Sequence, residues 1–183
     1  MDDAWEGLTP PYRTIVADPP WRFMQGGPHS LTGRPHAVRV PPYSMMREAD
    51  IAALDVDSLA SEAAHLYLWT TSFHLPKAEQ IASAWGFRRS QVLVWCKPRH
   101  GLGPGGAFAN TTEFVLFCRR GGLPHNERID STWWEWPRGP HSVKPAAFFD
   151  LVERVSPGPY VELFARQPRL GWDSWGYGYE GAA

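Results

Sequence analysis

A short motif, Asp18-Pro19-Pro20-Trp21, places an acid, a rigid turn and an aromatic plane directly after an apolar run, Thr14-Ile15-Val16-Ala17. The run is typical of a buried strand, and the prolines fix the backbone that follows it. The exocyclic amine of a nucleobase is a poor nucleophile, because its lone pair is delocalised into the ring. Asp18 and the Pro19 carbonyl could each accept one N–H of such an amine, and an extruded base could stack on Trp21. The motif therefore predicts chemistry on a nucleobase amine, while a proline turn with a core tryptophan is the alternative.

Charge is unevenly distributed along a nearly neutral chain. The 183 residues carry 18 Lys+Arg and 19 Asp+Glu, for a formal net charge of -1. Segments 19–47 and 80–112 contain no acid, and an acidic stretch separates them. This pattern favours a polarised surface that faces a polyanion, although two solvated loops would also produce it. The basic residues that we expect to contact nucleic acid are Arg34, Arg39, Lys97 and Arg99.

Short apolar strands alternate with helices along the chain. We expect strands at 14–17, 66–70, 88–95, 113–119 and 160–165, and helices at 47–54, 75–85 and 144–155. This alternation predicts an α/β fold, with a sheet covered by helices on both faces. Ligands bind such sheets at the carboxyl ends of the strands, so Asp18, Lys97 and Arg166 are expected at one rim. Segments 22–44 and 97–112, rich in Gly and Pro, are predicted active-site loops.

The composition limits the class of protein. We interpret residues 1–183 as one domain, since no linker or repeat interrupts them. No apolar run approaches the roughly 20 residues that cross a bilayer, and the acidic start is unlike a signal peptide, so we expect no membrane association. Cys96 and Cys118 form no CxxC pair, which predicts a reducing cytoplasm without disulfides. The histidines have no ligand spacing, so no metal is expected.

An ordered series of motifs continues after Asp18-Pro19-Pro20-Trp21. Its members are Leu66-Tyr67-Leu68-Trp69, Trp85-Gly86-Phe87, Trp95-Cys96-Lys97, Glu113, Lys144-Pro145, Glu162-Leu163-Phe164-Ala165-Arg166 and Trp175-Gly176. With this series the chain resembles the DPPW-type N6-adenine methyltransferases, the family of the catalytic subunit of the eukaryotic messenger-RNA N6-adenosine methyltransferase. The resemblance implies a Rossmann-like fold with a mostly parallel sheet, in which the catalytic motif precedes the cofactor-binding strand. It also implies S-adenosylmethionine as the cofactor.

The resemblance assigns roles to individual residues. The catalytic motif would be Asp18, Pro19, Pro20 and Trp21. The cofactor would meet Asp18, Lys144 at its methionine carboxylate, Glu162 at its ribose hydroxyls, and Phe164, Arg166, Gly176 and Tyr177 around its adenosine. The target base would lie near Trp21, Tyr43 and Lys97. Physical chemistry agrees on two of these roles, because an acid on a strand suits ribose and a lysine at a helix start suits an anion.

The predicted activity is methyl transfer to the N6 amine of adenine in nucleic acid. DNA is favoured over RNA because the chain has no zinc-finger RNA-binding module. The alternatives are RNA adenine-N6 methylation, cytosine-N4 methylation and a non-catalytic nucleic-acid-binding partner subunit; either a monomer or a dimer is compatible with the sequence. The chain departs from the messenger-RNA enzyme at Gln167-Pro168-Arg169, where a His-Asn pair is absent.

Overall fold

The computed structural model describes residues 5–22, 45–98, 108–139 and 143–176. In chain order these residues form β1 (Tyr12–Ala17), α1 (Glu48–Ala52), a 3-10 helix (Val56–Leu59), β2 (Ala60–Thr70), α2 (Leu75–Ala84), β3 (Arg88–Cys96), β4 (Thr112–Arg120), β5 (Trp133–Glu135), α3 (Ala146–Val155), β6 (Tyr160–Leu163) and β7 (Trp172–Trp175). Within these residues no helix is long and apolar enough to span a membrane.

The strands form one 7-stranded sheet in the order β5-β3-β4-β2-β1-β6-β7. Neighbouring strands are parallel except where β4 pairs with β2 and β3. We call the edge at which the parallel strands end the carboxyl edge. Since β4 runs the other way, its first residues also lie at that edge. The mostly parallel sheet of the sequence-based prediction is confirmed.

Helices cover both faces of the sheet, and the side chains of β2, which point alternately to the two faces, show why. Leu66 and Leu68 belong to an apolar cluster that includes residues of α1 and α2. Tyr67 and Trp69, which point the other way, belong to a second cluster with residues of α3. Successive side chains of a strand face opposite sides, so an apolar run without polar interruptions is buried on both. The α/β class is therefore confirmed.

Some predicted boundaries were wrong. β2 begins at Ala60 rather than Leu66, because pairing with β1 and β4 extends it through an alanine-rich segment of low strand propensity. α3 begins at Ala146, with Pro145 as the capping residue before it. β6 ends at Leu163 because Phe164 adopts a positive φ of 64°. The short edge strands β5 and β7 were not predicted.

The two predicted active-site loops, 22–44 and 97–112, lie mostly outside the described residues. The described parts are Arg22 in the first loop, and Lys97, Pro98 and residues 108–112 in the second. Their assignment as active-site loops therefore stays a prediction.

Candidate active site

Asp18 is the first residue after β1 and is held at the carboxyl edge by the neighbouring strand. Its backbone N–H donates to the Leu163 carbonyl of β6 at 3.3 Å, and the residue is only 9% exposed. The turn that follows closes with a hydrogen bond from the Trp21 N–H to the Pro19 carbonyl at 2.8 Å. The fixed φ of Pro20 suits the centre of such a turn. The Pro19 oxygen keeps a second lone pair with which it could accept from a substrate amine.

Trp21 is 5% exposed, and both its ring and its N–H make contacts within the protein. Nε1 donates to the Trp69 carbonyl at 3.0 Å, and one ring face stacks on His74 with centroids 5.1 Å apart. His74 also contacts the Thr71 hydroxyl at 2.9 Å and the Arg22 carbonyl at 3.1 Å. A carbonyl can only accept, so His74 Nε2 carries a proton and donates it to Arg22. His74 thus fixes the chain as it leaves the motif, while stacking of a base on Trp21 stays a prediction.

Five charged side chains alternate in sign along the carboxyl edge. Lys144 Nζ lies 2.9 Å from Asp18 Oδ1 and 3.0 Å from Glu113 Oε2. Lys97 pairs with the other oxygen of Glu113, and Arg166 Nη2 lies 3.9 Å from Asp18 Oδ2. We call this set, in the order Arg166, Asp18, Lys144, Glu113 and Lys97, the charge row. It joins the residues that the sequence predicted at one rim.

The centre of the charge row is buried and remains ionised. Burial by itself would lower the pKa of Lys144, but the carboxylates of Asp18 and Glu113 raise it above its ordinary value. Burial by itself would raise the pKa of Glu113, but the ammonium groups of Lys144 and Lys97 hold it below its ordinary value. Both groups are therefore charged at neutral pH. Lys144 Nζ also lies over the Trp69 ring, 4.8 Å from its centre, in a cation–π contact.

Sequence analysis gave Glu113 no role, although it lies in the middle of the charge row. Glu113 is a member of the motif series and the first acid after the acid-free segment 80–112, and these were the signals that could have given it a role. Its position depends on the direction of β4. An antiparallel strand begins where its parallel neighbours end, so Glu113 reaches the carboxyl edge from the start of a strand.

A narrow crevice opens beside Asp18, between the end of β6 and the start of α3. Its walls include the predicted cofactor residues Asp18, Lys144, Glu162, Phe164 and Arg166. Phe164 has a φ of 64°, an uncommon conformation for a residue with a bulky side chain and one that often occurs at functional sites. This turn ends β6 and brings the ring of Phe164 to the crevice wall.

Glu162 lies on β6 within the crevice, and its protonation is unusual. Burial, assisted by the charge of Asp18, raises the pKa of Glu162 to about 7 against the opposing charge of Arg169. At neutral pH the carboxyl group therefore exists in both forms. It can accept a hydrogen bond when ionised and donate one when protonated, which suits hydroxyl groups of a ligand.

Gly176 follows β7 where the chain passes close to the end of β6. The Ala165 N–H donates to the Trp175 carbonyl at 2.9 Å, which draws the two segments together. A Cβ at Gly176 would overlap the backbone of Ala165 and Phe164. The glycine is therefore required by this close approach, and its contact with a cofactor stays a prediction.

Several predicted site residues lie outside the described residues: Arg34, Arg39, Tyr43, Arg99 and Tyr177. Their predicted roles stay predictions. Across the described ranges, no group of three or more His, Cys, Asp or Glu side chains could hold a metal ion.

One polar group on the crevice wall has no partner within the protein. Arg169 Nε is buried and has no hydrogen-bond partner among the described residues. The ammonium group of Lys144 has three N–H donors. Two of them face Asp18 and Glu113, so one remains for the carboxylate of a ligand. The hydrogen-bonding capacity of the crevice wall is compatible with S-adenosylmethionine, and the roles of Lys144 at its carboxylate and Glu162 at its ribose stay predictions.

Comparison with known proteins gives consistent matches. The MT-A70 family model matches residues 12–178. The type II methyltransferase M.MunI of a Mycoplasma species is 31% identical over 180 residues, which cover 90% of this chain and 76% of that protein. The N(6)-adenosine-methyltransferase non-catalytic subunit METTL14 of Xenopus tropicalis is 29% identical, over 67% of this chain and 31% of that protein. The N(6)-adenosine-methyltransferase subunit METTL3 of Danio rerio is 23% identical, over 85% of this chain and 25% of that protein.

Proposed function

The chain belongs to the MT-A70 family and is a methyltransferase, and we propose that it transfers a methyl group from S-adenosylmethionine to the N6 amine of adenine in DNA. The observation that carries this proposal is the position of Asp18. Its carboxylate lies at the carboxyl edge, next to the crevice, and is paired with Lys144 at 2.9 Å. An acceptor for the amine and a site for the methyl donor are therefore adjacent.

The residues of the chain act mainly by positioning. When bound, S-adenosylmethionine would supply a methyl group on a sulfonium sulfur. The amine nitrogen would bond to the methyl carbon as the carbon–sulfur bond breaks, and the sulfur would leave as a neutral thioether. Asp18 accepts one N–H of the adenine amine and the Pro19 carbonyl accepts the other, so that the nitrogen lone pair faces the crevice. Lys144 and Arg166 orient the Asp18 carboxylate from either side. Such a displacement depends on alignment of the reacting atoms rather than on a strong base. The proton released from nitrogen passes to Asp18 or to water.

Support for DNA as the substrate comes from the relatives. M.MunI is a type II methyltransferase, a class that acts on DNA, and the chain covers 76% of its length. The chain spans less than a third of the two N(6)-adenosine-methyltransferase subunits, at 31% and 25% of their lengths. The similarity is therefore most extensive to the DNA-directed relative.

A non-catalytic role is the alternative from a different class, since METTL14 is named as a non-catalytic subunit. Two features of this chain favour catalysis. The motif keeps both its acid, Asp18, and its aromatic residue, Trp21. The acid is also held by the charge row, which a subunit without chemistry would not require. RNA adenine and cytosine-N4 methylation remain as outcomes of the test.

The test is mass spectrometry of nucleosides from cells that express the protein and have no adenine methylation of their own. We expect N6-methyladenine in DNA, and far less of it when Asp18→Asn is expressed at the same level. N6-methyladenine confined to RNA, or N4-methylcytosine in place of N6-methyladenine, would contradict the proposed substrate. No methylated base in either polymer would favour the non-catalytic subunit.

A further inference from the structure

The face of the sheet that α1 and α2 cover carries a row of apolar side chains that lies outside the packed core. Leu68 of β2 and Leu116 of β4 are register partners, and both are buried in the apolar cluster that includes residues of α1 and α2. Phe114 lies two residues before Leu116, nearer the carboxyl edge, and therefore points to the same face. Its partner on β3 is Val94, whose partner on β5 is Trp133. Within the described part of the chain, these last three side chains belong to neither apolar cluster.

An exposed aromatic ring lies at each end of this row. Trp133 on β5 is 60% exposed, while Val94 and Phe114 are half-buried. Phe73 follows the end of β2, the other neighbour of β4, and is 69% exposed. We call Phe73, Phe114, Val94 and Trp133 the apolar strip. Single exposed apolar residues are ordinary on a protein surface, but an apolar row beside the charge row indicates a binding surface.

Phe73 connects the apolar strip to the catalytic motif. Its ring meets the ring of His74 edge to face, with centroids 4.9 Å apart, and His74 stacks on Trp21 at 5.1 Å. β1, which precedes the motif, and β5, which carries Trp133, are separated by three strands, or about 19 Å. Stacked nucleotides of one strand follow each other at about 3.4 Å. The strip is therefore long enough to meet several nucleotides beside a target base at Trp21.

The faces of nucleobases fit this surface better than a second copy of the chain does. An aromatic side chain buries at most about 250 Å². Two exposed rings and two half-buried side chains therefore offer less than the roughly 800 Å² that each partner of a stable dimer buries. Stacking requires only an accessible ring face, and it accepts any base. The exposed Arg22 directly follows Trp21, so a cation for a phosphate lies at the motif end of the strip.

We propose that the apolar strip binds unpaired bases of the strand that carries the target adenine, on one side of that adenine. This inference rests on the proposed function and adds the form of the nucleic acid, since a base can stack on Phe73 or Trp133 only outside the duplex. Unpairing costs free energy, and stacking on the two rings offsets part of that cost. The strip thus favours a strand that is open next to the target adenine.

Fluorescence anisotropy tests the inference without methylation. The ligands are an oligothymidylate strand and an abasic strand of the same length, which have the same backbone charge and differ only in their bases. The variants are Phe73→Ala, Trp133→Ala and Leu170→Ala, a fully exposed apolar control in the connection between β6 and β7. We expect the parent protein and the control to bind the thymidylate strand more tightly than the abasic strand. Each ring variant should reduce this preference about fivefold or more, the lower limit for stacking of one base, and leave the salt dependence unchanged.

The outcomes separate this inference from the proposed function. A parent protein that binds both strands equally would overturn the inference alone, as would parent-like preference in either ring variant, once melting curves show that it is folded. Because the two rings lie on different elements, one folded variant is sufficient for the test. Sedimentation gives a second measurement: a parent dimer that the ring variants dissociate, with the base preference unchanged, would assign the strip to a second copy and overturn the inference. A parent protein that binds neither strand would overturn the proposed action on nucleic acid as well.

Discussion

Glu162 has a carboxyl group that changes protonation near neutral pH, because burial raises its pKa to about 7. In the unfolded chain the same group has its ordinary pKa of 4.5. Between these values the folded protein holds a proton that the unfolded chain has lost. The stability linked to Glu162 is therefore complete below pH 4.5 and is lost as the pH rises through about 7. The full difference amounts to about 3 kcal/mol.

Replacing Glu162 with glutamine removes this dependence. We expect the melting temperature of Glu162→Gln, relative to the parent protein, to be clearly higher at about pH 8 than at about pH 5, because only the parent protein must bury a charge at the higher pH. Calorimetry without ligand measures the difference, and the exposed Glu135→Gln is the matched control. A difference that is the same at both pH values would show that Glu162 titrates normally.

His74 is a positioning residue for the catalytic motif, since its ring stacks on Trp21 and its Nε2 holds the Arg22 carbonyl. We expect His74→Ala to lower the saturated methylation rate by about 10- to 100-fold, as small misplacements of reacting groups do. Affinity for S-adenosylmethionine should stay the same, because the crevice lies on the side of β6. His74→Gln, whose amide can still donate to Arg22, should recover part of the rate. The measurements are single-turnover kinetics and calorimetric titration.

The exposed His125→Gln is the control for general effects of losing a histidine. A folded His74→Ala protein with the parent rate would show that the motif does not need this support. An equal loss of methylation rate in His74→Ala and His74→Gln would show that the hydrogen bond to Arg22 contributes nothing to that rate.

At the level of elements, the approach of β7 to the end of β6 shapes the crevice. A Cβ at Gly176 would meet backbone atoms of Ala165 and Phe164, which cannot move aside as a flexible side chain can. We expect Gly176→Ala to lower stability by about 1–3 kcal/mol, the usual effect of overpacking, and to weaken cofactor binding. Gly122→Ala is the matched control, since a Cβ there meets nothing within 4 Å. Urea unfolding measures the free energy of unfolding of both variants. Equal values would mean that the end of β7 can move away from the end of β6 without loss of stability.

Sequence predicted the interior of the sheet better than its edges. The apolar runs of β1 and β2 were visible because burial on both faces requires continuous apolar residues, and β3 and β4 also contain apolar runs. β5 and β7 are short edge strands, with tryptophans and charged residues mixed, so neither a run nor an alternation marks them. The direction of β4 is set by pairing between distant segments and could not be deduced from a local pattern.

The same distinction applies to the site. The candidates Asp18, Lys144 and Arg166 could be identified from the end of a strand, the start of a helix and the motif series, and the structure pairs both Lys144 and Arg166 with Asp18. Glu113 required the direction of β4. The stacking of His74 on Trp21 and the positive φ of Phe164 required the tertiary packing.

At the scale of the whole molecule, the described basic residues of the acid-free segment 80–112 do not form one surface. Arg88 and Arg89 begin β3 and Lys97 follows its end, so they lie at opposite edges of the sheet. Arg89 also pairs with Glu79 at 3.2 Å. Arg88 and Arg89 therefore do not share a surface with Lys97, because a strand carries its two ends to opposite sides of the domain, and the polyanion-facing surface predicted from the two acid-free segments stays a prediction.

The sequence-based expectation for Arg34, Arg39 and Arg99 concerns the affinity of the whole protein for nucleic acid. If each arginine meets one phosphate, replacing it with alanine should weaken binding to all sequences and reduce the slope of log affinity against log salt by about one unit. Fluorescence anisotropy with duplex DNA over a salt series measures the slope. The triple variant should lose about three units, and an unchanged slope would show that these arginines do not contact phosphates.

The central claim is that Asp18 holds the amine that reacts. The most direct test is single-turnover methylation of duplex DNA by Asp18→Asn under saturating S-adenosylmethionine, with the exposed Asp130→Asn as control and melting curves for both. An amide accepts from the amine less strongly than a carboxylate does, and it cannot receive the released proton. We predict a loss of about a hundredfold or more in the rate of N6-methyladenine formation for Asp18→Asn, and the parent rate for the control. A folded, saturated Asp18→Asn protein that methylates adenine at the parent rate would contradict the account.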